Sequence, residues 1–405
     1  MNSFLRNIPL LALCQALMMS GSSMIIATTS LVGFALASDK SLSTLPLAAQ
    51  FIAMMLTSIP AALLLQRIGR KRGFMVATLF GISGSGLAAL AILKGQFWLF
   101  GAGTALIGVF NGFGIYYRFA AADAVAYEYK SRAVSYIMAG GVAAAFVGPN
   151  LASWTRDLIV TAPFAGSYGA LIFFYVASLA ILGFLNLPPE PVPDGSGAAG
   201  SVRPLRVIAF QPMFIVALVC GMLGYGVMVL LMTATPLAMQ HCAYSFSDTS
   251  FVVQWHVFSM FAPSFVTGHL IRRYGVLNIL YAGTILAVIC VAINLRGESV
   301  RHFWIALLFL GVSWNFLFVG ATTLLTETYR PEERAKTQAL NDFTVFSCVA
   351  GASLSSGALQ HLYGWRAVNL GVIPLLVLIL ATIFWGKSKR EIGKSCKVGD
   401  LQLRG

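Results

Sequence analysis

The amino-acid sequence predicts an all-α membrane protein in which twelve transmembrane helices form two six-helix bundles. Of its 405 residues, 58% are apolar and only 10% are charged, whereas soluble domains carry about 25% charged residues. The chain also contains a series of apolar runs of about 20 residues, which is the length that spans a bilayer. Because lipid cannot satisfy free backbone groups, each run is expected to form a helix.

A basic hairpin that occurs twice provides the third observation. Residues 66–72 read QRIGRKR between two apolar runs, and a shorter copy, RRYG, occupies residues 272–275. Pairing Arg67 with Arg273 and Gly69 with Gly275 gives the same offset of 206 residues. The repeat predicts two homologous halves.

The apolar runs define the predicted helices in chain order. In the first half they lie at 8–30, 44–65, 73–93, 97–122, 133–153 and 166–187, and in the second at 210–233, 249–271, 276–295, 302–325, 337–359 and 367–386. Glycines in helix 3 permit close packing of neighbouring helices, and helix 4 is the most polar of the first half. The Gly148–Asn150 segment in helix 5 contains a proline, which is enough to predict a kink.

Composition changes sharply between the two sets of helices. Residues 188–201 are rich in proline, glycine and serine, which predicts a flexible linker. We therefore divide the chain into an N-terminal bundle (1–187), a cytoplasmic linker (188–206), a C-terminal bundle (207–388) and a cytoplasmic tail (389–405).

The distribution of Lys and Arg predicts the orientation in the membrane. Of the 27 basic residues, 20 fall on one side of the predicted helices, 6 on the other, and Arg118 alone lies within a helix. The positive-inside rule places both termini and the linker in the cytoplasm. We attribute the net charge of +13 to this topology and expect the lipid bilayer, not nucleic acid, as partner. Six scattered cysteines lack metal-ligand spacing and are expected to be free thiols.

The hairpins resemble the loop after helices 2 and 8 of major facilitator superfamily transporters, approximately G-x-x-x-D-R-x-G-R-K/R. Arg67, Gly69 and Arg70 match this loop, whereas Gln66 and Arg272 stand where the family has an aspartate. Twelve predicted helices and a central linker extend the resemblance over essentially the whole chain. Short stretches around Trp314, Asp342 and Trp365 resemble a subgroup of bacterial permeases.

The resemblance implies a gate at the basic hairpins. In the family an acid at the end of helix 4 or 10 contacts the hairpin, so Asp123 would face Arg67 or Arg70, and Glu327 would face Arg273. The predicted gating residues are Gln66, Arg67, Gly69, Arg70, Asp123, Arg273 and Glu327.

The resemblance also implies a solute site lined by helices 1, 4, 7 and 10. Polar and aromatic residues on these helices are the candidate solute-binding residues: Gln15, Asn111, Tyr116, Arg118, Tyr225, Trp314 and Asn315. For the aromatic residues Tyr116, Tyr225 and Trp314, packing or an interface position is the favoured role. Arg118 either binds an anionic group of the solute or extends to the membrane edge and pairs with Asp123. Asn111 and Asn315 either join helices by hydrogen bonds or contact the solute, and we favour the second role.

Three residues are considered as proton carriers. His256 has the appropriate unperturbed pKa, but a satisfied buried histidine is the favoured interpretation. Asp123 and Asp342 also qualify, although a gate role is favoured for both. No carboxylate is predicted near the midplane of helices 1, 4, 7 or 10, which favours a neutral or anionic solute over a cation.

Together these features predict a monomeric secondary transporter of the bacterial cytoplasmic membrane. It would move a small organic solute by alternating access, coupled to protons as the resemblance implies, with uptake favoured. Efflux by proton antiport is the alternative, and a non-transporting receptor or scaffold is the alternative of another class. No catalytic residue, metal site or cofactor is expected.

Overall fold

The computed structural model describes residues 2–124, 130–187 and 203–402, and the regular elements in these ranges are all helices. They are α1 (Asn2–Leu36), α2 (Leu45–Ile68), α3 (Arg70–Leu93), α4 (Phe97–Gly114), α5 (Tyr117–Asp123), α6 (Lys130–Thr155), α7 (Ala165–Gly183), α8 (Leu205–Ala209), α9 (Pro212–His241), α10 (Phe246–Phe261), α11 (Ser264–Tyr274), α12 (Val276–Arg296), α13 (Val300–Thr326) and α14 (Arg334–Gln402), with 3-10 turns at Lys40–Leu42 and Pro331–Glu333. The predicted all-helical fold is confirmed. Most of the predicted linker lies outside the described residues.

The number of membrane crossings differs from the prediction. In the described part of the chain, nine helical stretches are long and apolar enough to span a bilayer, so the count of twelve is not confirmed. Two interruptions contribute to the difference. Pro263 separates α10 from α11, because it lacks the N–H that a continuous helix needs. Inside α14, two helices meet at Gly364, where φ is 75° and ψ is 176°.

The two basic hairpins share one backbone conformation. Gly69 joins α2 to α3 with φ 83° and ψ 151°, and Gly275 joins α11 to α12 with φ 85° and ψ 148°. This region is accessible essentially only to glycine. The sequence repeat is therefore also a repeat of local geometry.

Helix packing repeats in the same way. In the first half, α4 packs on α2 and α3, α6 packs on α1, and α7 packs on α3. In the second half, α13 packs on α9, α10 and α12, and α14 packs on α9. A β-carbon on Gly108 of α4 would overlap the backbone of Gln50, and one on Gly311 of α13 would overlap the backbone of His256. Gln50 and His256 are again 206 residues apart. In each half, a glycine thus allows an equivalent pair of helices to pack closely, α2 with α4 in the first and α10 with α13 in the second.

The halves meet through α2 with α14 and α6 with α10. We call the helix ends that carry the two hairpins the basic face. Hydrogen bonds between the halves lie at the opposite face: Thr44 Oγ1 donates to the Leu354 carbonyl at 3.2 Å and accepts from the Gly357 N–H at 3.1 Å. Ser250 Oγ donates to the Pro149 carbonyl at 2.8 Å. The two halves are therefore held together at the face opposite the hairpins.

Gly69→Ala and Gly275→Ala should each lower the free energy of unfolding by about 1–3 kcal/mol, because a β-carbon is strained in this backbone region. A β-carbon added at either glycine would meet no heavy atom within 4 Å, so backbone strain is the whole effect. Thermal unfolding of the purified variants measures it. Gly371→Ala, which has open space and lies within helical α14, is the matched control and should not lower the melting temperature. Equal melting temperatures for all three variants would contradict the prediction.

Candidate functional site

Four helices form one contiguous wall, because α1 touches α4 and α9, and α9 touches α13. α4 ends at Gly114, and after a break at Ile115 and Tyr116 the chain continues as the short helix α5. Five of the predicted solute-binding residues lie on these four helices, Gln15 on α1, Asn111 on α4, Tyr225 on α9, and Trp314 and Asn315 on α13. The other two, Tyr116 and Arg118, lie at α5. Their surroundings differ, and the differences separate their roles.

An aromatic cluster occupies the second-half side of the wall. The Tyr225 and Trp314 rings meet edge to face, with centroids 5.4 Å apart, and Trp314 stacks on Phe318 at 4.9 Å with the two planes only 8° apart. Phe346 lies 6.1 Å from Tyr225, and Phe261 lies 6.1 Å from Trp314. We call these five residues the aromatic cluster. Phe318, one helical turn after Trp314, was detectable from spacing, whereas Phe261 and Phe346 come from other helices and were missed.

Two side-chain amides with unpaired oxygens lie on the first-half side of the wall. Gln15 is 7% exposed and Asn111 is 5% exposed, yet Gln15 Oε1 and Asn111 Oδ1 have no hydrogen-bond partner among the described residues. Met18, one turn after Gln15, packs against Gly114, one turn after Asn111. Because α1 and α4 run in opposite directions, Gln15 and Asn111 lie on opposite sides of this contact. A buried carbonyl oxygen without a donor costs about 1–3 kcal/mol. The wall therefore presents two oxygen acceptors suited to a ligand with N–H or O–H groups.

Asn315, by contrast, has its hydrogen-bonding groups engaged. Its Oδ1 accepts from Thr267 Oγ1 at 2.6 Å, and its Nδ2 donates to the Met260 carbonyl at 2.7 Å and to Ser264 Oγ at 2.6 Å. These partners flank the interruption at Pro263, and Asn315 is fully buried. Asn315 thus joins α13 to the α10–α11 junction, while Asn111 keeps an unpaired oxygen.

Opposite charges face each other across the halves beside this wall. Arg118 lies with its guanidinium 4.9 Å from the Phe119 ring centroid, and its charge interacts with that of Asp342 on α14. Asp342 accepts from Asn341 Nδ2 at 3.0 Å. The Asp342 side chain is exposed. Tyr116 donates its hydroxyl to the Ser58 carbonyl at 2.8 Å.

His256 lies away from this wall, fully buried where α10 packs on α13. Its Nδ1 is 2.8 Å from the Leu307 carbonyl, and its Nε2 has no partner among the described residues. One ring nitrogen is therefore committed to helix packing. A role in proton transfer stays a prediction.

The residues predicted to form the gate lie where α2 ends and α3 begins. Gln66 and Arg67 are exposed at the end of α2, and Arg70 begins α3. Lys71 of the same hairpin donates to the Gly183 carbonyl at 2.6 Å. The side chain of Asp123 lies outside the described residues, so its predicted contact with Arg67 or Arg70 stays a prediction.

The expected partner of Glu327 differs in the structure. Glu327 pairs with Arg390 near the end of the last helix, whereas the exposed guanidinium of Arg273 lies 5.3 Å from the ring centroid of its neighbour Tyr274. The contact between Glu327 and Arg273 stays a prediction, and the partner that the structure shows for Glu327 is Arg390. The tail of α14 supplies a cation at this position, which the sequence repeat could not show because the first half has no equivalent tail.

An ion pair that the sequence did not reveal joins the last part of the predicted linker to a buried glutamate. Arg203 Nε and Nη2 donate to the two carboxylate oxygens of Glu333 at 2.9 and 2.6 Å, and the Arg203 backbone N–H donates to the same carboxylate at 3.0 Å. The Arg330 N–H donates to Glu333 as well, at 3.0 Å. Arg203 and these N–H groups hold the pKa of Glu333 well below its usual range. The pair ties the start of the second half to the loop between α13 and α14.

Asn315→Ala should lower the melting temperature more than Asn111→Ala does. The first change leaves the buried Met260 carbonyl and two hydroxyl groups without their amide partner, which costs about 1–3 kcal/mol, whereas Asn111 loses no hydrogen bond to the described residues. Thermal unfolding without added solute tests this difference. If Asn111→Ala were the more destabilising variant, the assignment of Asn315 as a helix joint would be wrong.

The ion pair between Arg203 and Glu333 should make the stability of the protein depend on pH. Because the folded-state pKa is lowered, its stabilisation is present above the ordinary glutamate pKa of about 4.3 and is lost as the pH falls below that value. The melting temperature of Glu333→Gln should therefore lie below that of the wild type near pH 7, with the difference shrinking between about pH 5 and pH 3. Glu332→Gln, a change at an exposed neighbour, is the control and should differ little at any pH. A constant difference for Glu333→Gln would contradict the mechanism.

Comparison with known proteins finds a family model that matches the chain and relatives of similar sequence. A family model described as Major Facilitator Superfamily matches residues 11–353. The riboflavin transporter RfnT of Brucella anthropi is 40% identical over 385 residues, which cover 93% of this chain and 95% of the relative. The uncharacterized MFS-type transporter YdeG of Bacillus subtilis (strain 168) is 27% identical over 80% of this chain and 78% of its own length.

Solved structures with the same fold are also transporters. The nucleoside transporter NupG superposes with a TM-score of 0.71 at 14% identity, covering 94% of this chain and 99% of its own. A POT family transporter in complex with 5-aminolevulinic acid superposes with a TM-score of 0.73 at 13% identity, covering 94% and 96% of the two chains. At such identities these similarities concern the fold alone.

Proposed function

Since this chain belongs to the major facilitator superfamily, and is therefore a multi-pass membrane transporter, we propose that it moves a neutral, planar heteroaromatic solute of the riboflavin type. We further propose that transport is uptake across a bacterial cytoplasmic membrane. The observation that carries the choice of solute is the aromatic cluster on one side of the wall and the unpaired amide oxygens on the other.

The two sides of the wall complement the two parts of such a solute. The nearly parallel rings of Trp314 and Phe318 offer a surface on which a flat ring system can stack. The oxygens of Gln15 and Asn111 can accept hydrogen bonds from a ring N–H or from the hydroxyls of a polyol chain. Riboflavin has both groups. The 40% identity to a riboflavin transporter along nearly the whole chain supports the same class of solute.

The charges of the wall favour a neutral molecule over a cation. Helices α1, α4, α9 and α13 contain no aspartate or glutamate, so a buried cation would find no carboxylate there. The charges of Arg118 and Asp342 are opposite and attract each other. We therefore assign Arg118 and Asp342 to closing the pathway between the halves, with Asp342 as the group through which protons would be coupled.

The orientation and mechanism follow from the distribution of charge and contact. We place the basic face in the cytoplasm according to the positive-inside rule. We propose twelve crossings, in which α4 is counted with α5, α10 with α11, and the two parts of α14 on either side of Gly364 separately, and the five-residue α8 is too short to cross. Contacts between the halves at the opposite face would then close the outer side. The hydroxyl hydrogen bonds there, each contributing about 0.5–1.5 kcal/mol, are weak enough to break when the halves rock.

At the cytoplasmic side we propose that the hairpins act as the gate. Arg67 and Arg70 would meet Asp123 when that side closes, and Glu327 would contribute through the tail residue Arg390. Because Gln66 has replaced the hairpin's own acid, the negative charge must come from neighbouring helices.

Riboflavin uptake is the direct test. Expression in a bacterium that cannot synthesise riboflavin should restore growth at low external riboflavin and give saturable accumulation of the labelled vitamin. Riboflavin should also raise the melting temperature of the purified protein, because it binds the folded state. Trp314→Leu should weaken binding about tenfold, which corresponds to about 1.4 kcal/mol for a lost stacking partner.

Trp98→Leu is the matched control, since Trp98 is 72% exposed and Trp314 only 7%; it should leave binding and uptake unchanged. If riboflavin is not taken up and does not change the melting temperature, the proposed solute is wrong. Faster loss of riboflavin from preloaded cells, without uptake, would favour the efflux alternative. Collapse of accumulation on adding a protonophore is expected if protons are coupled.

A further inference from the structure

The loop between α6 and α7 closes on itself at the face opposite the hairpins. The Phe164 N–H donates to the Arg156 carbonyl at 2.8 Å, which brings both ends of the loop together. Phe164 has a φ of 70° and a ψ of −11°, a left-handed conformation that is rare for a bulky residue. Such strain is retained where the surroundings hold the residue in place, and it concentrates at functional sites.

Phe164 is held against the other half of the protein. Its ring meets Phe246, at the start of α10, edge to face with centroids 4.9 Å apart. The Arg156 guanidinium lies over both rings, 5.4 Å from the Phe164 centroid and 5.5 Å from the Phe246 centroid. Arg156 also contacts Asp157, which is largely exposed, at 3.5 Å. One cation therefore bridges aromatic rings that belong to different halves.

A cavity of about 630 Å³ opens beside this bridge, which is in the range of small-molecule sites. Both halves line it, with Arg156, Phe164 and Lys94 from the first and Tyr244, Phe246 and Gln240 from the second. Its lining contains two cations and no carboxylate. We call this cavity the vestibule.

We propose that the vestibule is a second binding site, which receives the planar aromatic solute from outside before the outer side opens. The inference rests on the proposed function, since it concerns the same solute. A guanidinium stacks on flat rings and donates to carbonyl oxygens at their edges, so Arg156 binds a heteroaromatic ring that carries carbonyl groups. The arriving ring takes the place of Phe246 over Arg156 and so loosens the contact between the halves.

Initial rates of riboflavin uptake against external concentration test the vestibule in intact cells. Arg156→Ala should raise the half-saturating concentration about fivefold to tenfold, the effect of losing one cation–π contact, with the maximal rate much less changed. Arg156→Lys, which keeps the charge but loses the planar group, should fall between. Arg301→Ala, at an exposed arginine of the same face outside the vestibule, is the control and should match the wild type.

Phe164→Gly provides a variant that retains the fold, because glycine adopts a φ of 70° without strain. It removes the ring and should also raise the half-saturating concentration. Riboflavin should still raise the melting temperature of purified Arg156→Ala, because the central wall is intact. An unchanged half-saturating concentration in both Arg156→Ala and Phe164→Gly, or a loss of maximal rate alone, would overturn the vestibule site. Absence of uptake and binding in the wild type would instead refute the proposed function.

Discussion

Hydrocarbon offers no hydrogen bonds, and this constraint governs how every polar group in the protein is placed. Hydroxyls inside the helices return to their own backbone, as Thr28 does to the Met24 carbonyl at 3.0 Å and Thr235 to the Leu231 carbonyl at 2.8 Å. Asn111 Oδ1 is one of several buried polar atoms that have no partner in the described part of the chain, and a solute can supply the donor that it lacks.

Contacts within the halves and between them differ in how easily water reaches them, although some hydrogen bonds between the halves, such as that of Ser250 with Pro149, are buried. Asn294 donates to Asn369 at 2.8 Å deep between α12 and α14, and such a pair would be costly to separate in lipid. Between the halves, Asn150 bonds Gln254 at 2.8 Å in a partly exposed position, where water can replace either partner. A transporter needs this distribution, because each half must move as a unit while the contact between halves breaks and re-forms.

The two repeated halves have equivalent backbone geometry at the hairpins, but their side chains differ in hydrogen bonding. Gly69 and Gly275 retain nearly identical geometry, yet Asn111 and Asn315, at similar positions in the two halves, differ in whether their side chains are engaged. The first half contributes hydrogen-bond acceptors and the second contributes aromatic surface. A solute that combines a flat ring with polar groups is the kind of molecule that fits between two such unlike sides.

By itself, the sequence determined the helical membrane fold, the repeat and the hairpin glycines, because these depend on apolar run length and on local backbone sterics. Seven solute-site candidates also followed from the family resemblance, and their contact with a solute stays a prediction. Only the tertiary structure decided that Asn315 is engaged, that Glu327 pairs with Arg390, and that Phe261 and Phe346 join the aromatic cluster. It also revealed the vestibule. These outcomes depend on which side chains meet across helices distant in the chain, and neither hydropathy nor spacing carries that information.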